Sequence, residues 1–110
     1  MAYARKRSAL MNMALYRWSR EHGFDEGLNG TRMLREALDY CVKANDPQMS
    51  IVKEIYGHVA RVYGGDVKSV ERSIRAAIKR SDLADMTNGR VIRCGAAAIA
   101  EAVATEEARI

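Results

Sequence analysis

The sequence predicts an all-α protein, a compact helical bundle of five or six helices that contains a helix-turn-helix. Three observations carry this. Apolar residues recur at three- and four-residue spacing, and no window shows the sustained alternation bounded by turn signals that marks a strand. Helix-forming residues dominate, with a single proline, Pro47. Breaks fall at Gly23, Gly27 and Gly30, at Asn45-Asp46-Pro47, at Gly64-Gly65 and at Asn88-Gly89, leaving five segments of helical length. A chain of 110 residues supports one core, so 1–110 reads as a single domain.

The first helix is expected over about 4–21, with Leu10, Ala14 and Trp18 at four-residue spacing and Met11 and Leu15 beside them. The second spans about 31–43, with Leu34, Leu38 and Cys41 or Val42 inward and Thr31 as an N-cap candidate. The third spans about 48–63. Asp46 followed by Pro47 supplies its start signal, and Ile51, Ile55, Val59 and Val62 form its stripe. The fourth spans about 66–80 and opens on Asp66, whose carboxylate suits both the cap and the helix dipole. An alanine-rich fifth helix spans about 95–107. Only Gly64-Gly65 joins the third to the fourth, as in a helix-turn-helix, which is placed at about 48–80.

Composition excludes several classes. Apolar residues make up 48% and charged residues 29%, the balance of a folded globule rather than a disordered chain. No apolar run approaches the roughly 18 residues of a membrane span, and the basic N-terminus lacks the unbroken apolar stretch of a signal peptide. A cytoplasmic, nucleoid-associated location is expected. Cys41 and Cys94 are too few for a disulfide framework and show no metal-binding spacing; Cys41 is expected as a buried thiol. His22 and His58 have no carboxylate or serine at a catalytic spacing and are assigned to the surface or to helix ends. No phosphate loop or paired carboxylate appears. An enzyme is not expected, nor a cofactor or metal. Tyr56 and Tyr63 are expected to pack in the core or against a turn.

The net charge of +4 is unevenly placed. Arg5, Lys6, Arg7, Arg17 and Arg20 precede the first acid of the chain, and glutamates gather at its end. Such polarity suits a polyanionic partner. In the fourth helix, at about 100° per residue, Lys68, Glu71, Arg72, Arg75 and Lys79 fall within an arc of about 100°. Val70, Ile74, Ala77 and Ile78 lie opposite them. Charges cover the solvent side of any amphipathic helix, so the stripe alone is not diagnostic. Its context is: the helix follows a glycine turn after another amphipathic helix, as a recognition helix does. Arginine forks match the O6 and N7 acceptors of guanine, and glutamate accepts from the N4 amine of cytosine. Arg72 and Arg75 are both expected to point away from the core.

The run Ser50-Ile51-Val52-Lys53-Glu54-Ile55-Tyr56, continued by Val70-Glu71-Arg72-Ser73-Ile74-Arg75-Ala76-Ala77-Ile78, resembles the C-terminal effector domain of the stage-zero sporulation response regulator family, the master transcription factors of endospore-forming bacteria. The likeness extends upstream through Gly30 and Leu34-Arg35-Glu36-Ala37 and covers about residues 23–80. It implies an all-helical bundle whose recognition helix contacts bases through Glu71, Arg72 and Arg75. Two departures stand out. In that family a receiver domain with a phosphorylatable aspartate precedes the effector, and this chain is expected to lack one. The segment 81–95 is also shorter than the family's and differs in sequence; in the family this region approaches RNA polymerase, so the sigma subunit is the partner implied there.

The expected function is therefore sequence-specific binding of double-stranded DNA in transcriptional regulation. Glu71, Arg72 and Arg75 are the base-reading candidates. Ser50, Lys53, Lys68, Ser69, Lys79 and Arg80 are the candidates for phosphate or groove contacts. The alternatives are a protein-interaction adaptor for an acidic partner and a non-specific architectural DNA binder, both on the same fold. The Arg5-Lys6-Arg7 cluster is either a DNA-contacting arm or a solvated helix start. A monomer is expected in solution, pairing in tandem only on adjacent half-sites.

Overall fold

The computed structural model describes residues 2–109, with side chains from Arg5 onward. Its elements are α1 (Ala2–Glu21), α2 (Asn29–Ala44), a π-helical turn (Ile51–Tyr56) that runs straight into α3 (Gly57–Tyr63), α4 (Val67–Lys79) and α5 (Asn88–Arg109). No strand occurs among the described residues. Helix α2 is the hub and packs on α1, α3, α4 and α5, while α1 also lies along α5. The core closes around Leu34 and Leu38 of α2, which meet Val70, Ile74 and Ile78 of α4 and Val91, Ile92 and Ile99 of α5. Each such side chain contributes about 1.5–3 kcal/mol on leaving water.

Two glycines set how closely the helices approach. At Gly30 an added Cβ would lie 1.9 Å from the Ser73 carbonyl oxygen, so α2 and α4 cross backbone against backbone. At Gly95 it would lie 2.9 Å from the Trp18 ring and 3.0 Å from Leu38. Gly95, expected as the start of the fifth helix, therefore sits in mid-helix as the slot for Trp18. The helix begins earlier because Thr87 caps it, its hydroxyl accepting from the Arg90 N–H at 3.2 Å. Asn88-Gly89 forms the first turn of α5 and does not break the chain.

Local chemistry moves two other boundaries. Thr31 is not the cap of α2: Leu28 holds that position, and the Thr31 hydroxyl donates to the Asp25 carbonyl at 2.7 Å, tying down the preceding loop. Asp46 does not open the third helix either. Its carboxylate accepts from the Gln48 N–H at 2.9 Å in a tight turn, and the cap passes to Ser50, whose hydroxyl accepts from the Lys53 N–H at 3.1 Å. The turn that follows is wide, with the Ile55 N–H donating to the Ser50 carbonyl five residues back. That width rotates the stripe expected from a uniform 3.6-residue period. Ile55, Tyr56 and Val59 are buried, Ile51 is half-buried and Val62 is exposed. Cys41, expected buried, is half-buried, and burial still pushes its thiol pKa up.

Tertiary contacts give the histidines partners that spacing concealed. His22 Nδ1 lies 2.8 Å from an Asp82 oxygen, joining the end of α1 to the α4–α5 linker. His58 Nε2 lies 2.9 Å from Glu36 and its ring stacks on Tyr40. Arg35 is a buried cation, only 8% exposed. It forks onto Glu26 at 2.8 and 2.9 Å and lies over the Tyr16 ring.

Candidate nucleic-acid interface

Helix α4 is oriented by its apolar stripe. Val70, Ile74, Ala77 and Ile78 are all at 0% exposure, which leaves one direction for the opposite face. Its first turn is fixed by Asp66, whose carboxylate accepts from the Ser69 N–H at 2.8 Å. That bond holds the Asp66 pKa below its ordinary value, with Arg72 and Lys68 assisting electrostatically. Gly64 and Gly65 supply the turn before it at φ of 75° and 124°, a region that side-chain-bearing residues rarely adopt.

On the outward face Lys68, Glu71, Arg72 and Lys79 are exposed. Among the described residues none of these four makes an ion pair or a side-chain hydrogen bond, so their charges are presented to solvent. Lys53 is likewise exposed at the start of the preceding π-helical turn. Ser50 is exposed beside it, its hydroxyl oxygen engaged in the cap. Two further candidates are partly committed. The Ser69 hydroxyl donates to the Asp66 carbonyl at 2.9 Å, and Arg80 reaches Asp25 at 3.5 Å, a surface pair of small worth.

Arg75 departs from expectation. It shares the stripe with Arg72 but is half-buried, and its guanidinium turns onto the α4–α5 linker. It donates to the carbonyls of Met86 at 2.7 Å and Ala84 at 2.8 Å and to the Asn88 side-chain oxygen at 3.2 Å. Its Nε is buried without a hydrogen-bond partner. Asn88 in turn donates to the Glu71 carbonyl at 3.1 Å. Arg75 thus holds the linker and the start of α5 against the outward helix, and Asn88 joins the site though nothing in its sequence context marked it. The cause is geometric: the linker's carbonyls return to α4 only in the folded chain, and an arginine fork can serve several of them.

Between the π-helical turn and α4 lies an open notch of about 530 Å³. Ile51, Val52 and Tyr56 line it from the turn, Glu71, Arg72 and Arg75 from α4, and Thr87, Asn88 and Gly89 from the start of α5. Tyr56 is buried, which raises its phenol pKa, Glu71 adding to the rise while Asn88 and Arg75 oppose it. Its hydroxyl therefore stays protonated at neutral pH.

The Arg5-Lys6-Arg7 cluster lies on α1, where Arg7 forms an ion pair with Glu107 near the end of α5. No helix among the described residues is long and apolar enough to cross a membrane, and no group of three or more metal-ligating side chains gathers among them.

No curated protein and no solved structure matches the chain. The family model described as "Sporulation initiation factor Spo0A C terminal" matches residues 16–104, extending the likeness of 23–80 back into the end of α1 and forward through most of α5. With a helix-turn-helix whose second helix bears unpaired cations outward, and with that match over most of its length, the chain belongs to the sporulation initiation factor Spo0A C-terminal family of DNA-binding transcription-factor domains.

Proposed function

We propose that the protein binds double-stranded DNA sequence-specifically and regulates transcription, with α4 as the helix that enters the major groove. The observation that supports this most directly is the pairing of Arg72 and Glu71, exposed side by side on a helix whose other face is wholly buried. Arginine donates to guanine and glutamate accepts from cytosine, so the pair distinguishes base edges that a purely cationic surface could not. Lys53, Lys68 and Lys79 supply phosphate contacts, with Ser50, Ser69 and Arg80 at the margins of the same surface. Arg75 reads a base by giving up its bonds to the Ala84 and Met86 carbonyls; with them in place it holds the linker and Asn88 against α4. The α4–α5 linker is the part offered to the RNA polymerase sigma subunit, and a cytoplasmic, nucleoid-associated location follows from a DNA target. The charge-reading pair favours this over an adaptor for an acidic protein, which has no use for Glu71.

Selection of bound duplexes from a random library tests the reading. Wild type is expected to recover a defined site. Arg72→Ala is expected to relax one base position at a cost of about 1–3 kcal/mol, whereas Lys53→Ala weakens all sequences alike. Glu71→Ala is expected to raise non-specific affinity while lowering discrimination at a separate position. Unchanged site preference in the Glu71 and Arg72 variants would reduce α4 to an attractor of DNA and leave the architectural binder as the better account.

A further inference from the structure

The notch beside Arg72 carries a second kind of readout. Val52 is 54% exposed on the π-helical turn, an apolar surface left bare next to the charged readers. Together with Ile51 and the Tyr56 ring it lines the wall that faces Glu71 and Arg72 across the notch. Ile55 is wholly buried beneath that turn, and Gly89 of α5 approaches Ile51 closely enough for an added Cβ to lie 3.8 Å from it. The wall is therefore backed by packed structure.

We propose that Val52 is a specificity-determining residue that reads the 5-methyl group of a thymine adjacent to the base contacted by Arg72. The inference rests on the sequence-specific reading above. Along the major-groove edge the bases present donors, acceptors and one apolar group, the thymine methyl. A polar wall of Glu71 and Arg72 answers the first two kinds; the apolar wall across the notch answers the third. The notch is open to solvent, with a volume of about 530 Å³.

The test uses the full chain and the duplex recovered by selection. Each thymine in that duplex is replaced, one at a time, by deoxyuridine, which removes the methyl group and leaves every hydrogen bond in place. At one thymine neighbouring the Arg72-dependent position, wild-type affinity is expected to fall about fourfold, the worth of one buried methyl-sized carbon. In Val52→Ser the thymine and deoxyuridine duplexes are expected to bind equally. The exposure of Val52 makes the variant a surface change, and an unchanged melting curve confirms that its fold is kept. Four results would overturn the proposal. No thymine is sensitive to the exchange; or Val52→Ser keeps the full methyl effect; or Val52→Ser weakens every sequence equally, as a backbone contact would. In these three cases a defined site with an Arg72-dependent position still upholds the sequence-specific reading. The fourth is a selection that recovers no site at all, which overturns both together.

Discussion

Two arginines one turn apart on the same helix have opposite surroundings. Arg72 reaches solvent without a partner, while Arg75 spends its fork on the Ala84 and Met86 carbonyls and the Asn88 side chain. The Met86 carbonyl is partly buried, so it loses a charged donor there when the fork is removed. Arg75→Ala is therefore expected to lower unfolding stability by about 1–3 kcal/mol, as loss of charged hydrogen bonds does. Arg72→Ala should stay within about 0.5 kcal/mol of wild type. Urea melts of the two variants check this, and equal stability would return Arg75 to the outward-facing role its spacing suggests. Arg35 makes a parallel point. Its buried charge is tolerable because Glu26 meets it with two hydrogen bonds, and Glu26 comes from the loop before α2. No helical period links the two.

At the scale of elements, α4 is held in place chiefly by where it crosses α2. The crossing depends on Gly30, since any Cβ there would run into the backbone of Ser73, which cannot swing aside as a side chain can. Gly30→Ala is expected to cost about 3 kcal/mol or more, the upper end for overpacking. It should also weaken DNA binding at temperatures where the variant remains folded, because α4 must move to make room. Thermal melts paired with binding measured well below the transition test both parts. A variant with wild-type stability would mean that α2 and α4 are not in contact at this point. The π-helical turn acts in a similar way on the preceding element. By widening the turn it buries Tyr56 beside Ile55 and leaves Val52 in the notch.

For the molecule as a whole, the net charge of +4 matters less than its exposed, unpaired part. Lys53, Lys68, Arg72 and Lys79 point outward around one helix-turn-helix, while Arg7 and Arg35 are paired within the chain. If about five to seven phosphates are neutralised on binding, the logarithm of affinity should fall with that of salt concentration at a slope of about −4.5 to −6. Titrations over a range of salt concentrations measure this directly, and a nearly flat dependence would be incompatible with a DNA target. Light scattering of the free protein is expected to give the mass of one chain, with pairing appearing only on duplexes that carry adjacent half-sites. A stable dimer without DNA would contradict that arrangement.

What the sequence determined by itself is whatever depends on periodicity and on strong local punctuation. The all-helical class, the buried faces of α1, α2 and α4, the Asp66 cap and the glycine turn all follow from side chains within a few residues of one another, where spacing and geometry are nearly the same thing. So does the outward placement of Lys68, Glu71, Arg72 and Lys79, because a buried stripe of Val70, Ile74 and Ile78 leaves them no other direction. Only the tertiary structure decided the rest. Asn88-Gly89 looks like a break until Thr87 caps the helix it begins. The third helix looks uniform until a π-helical turn rotates its face. Arg75 looks fully outward until the linker folds back and presents its carbonyls. In each case the deciding partner lies in another element or in the detailed hydrogen bonding of a turn, and a one-dimensional pattern holds no record of which groups the folded chain will bring within 3 Å of each other.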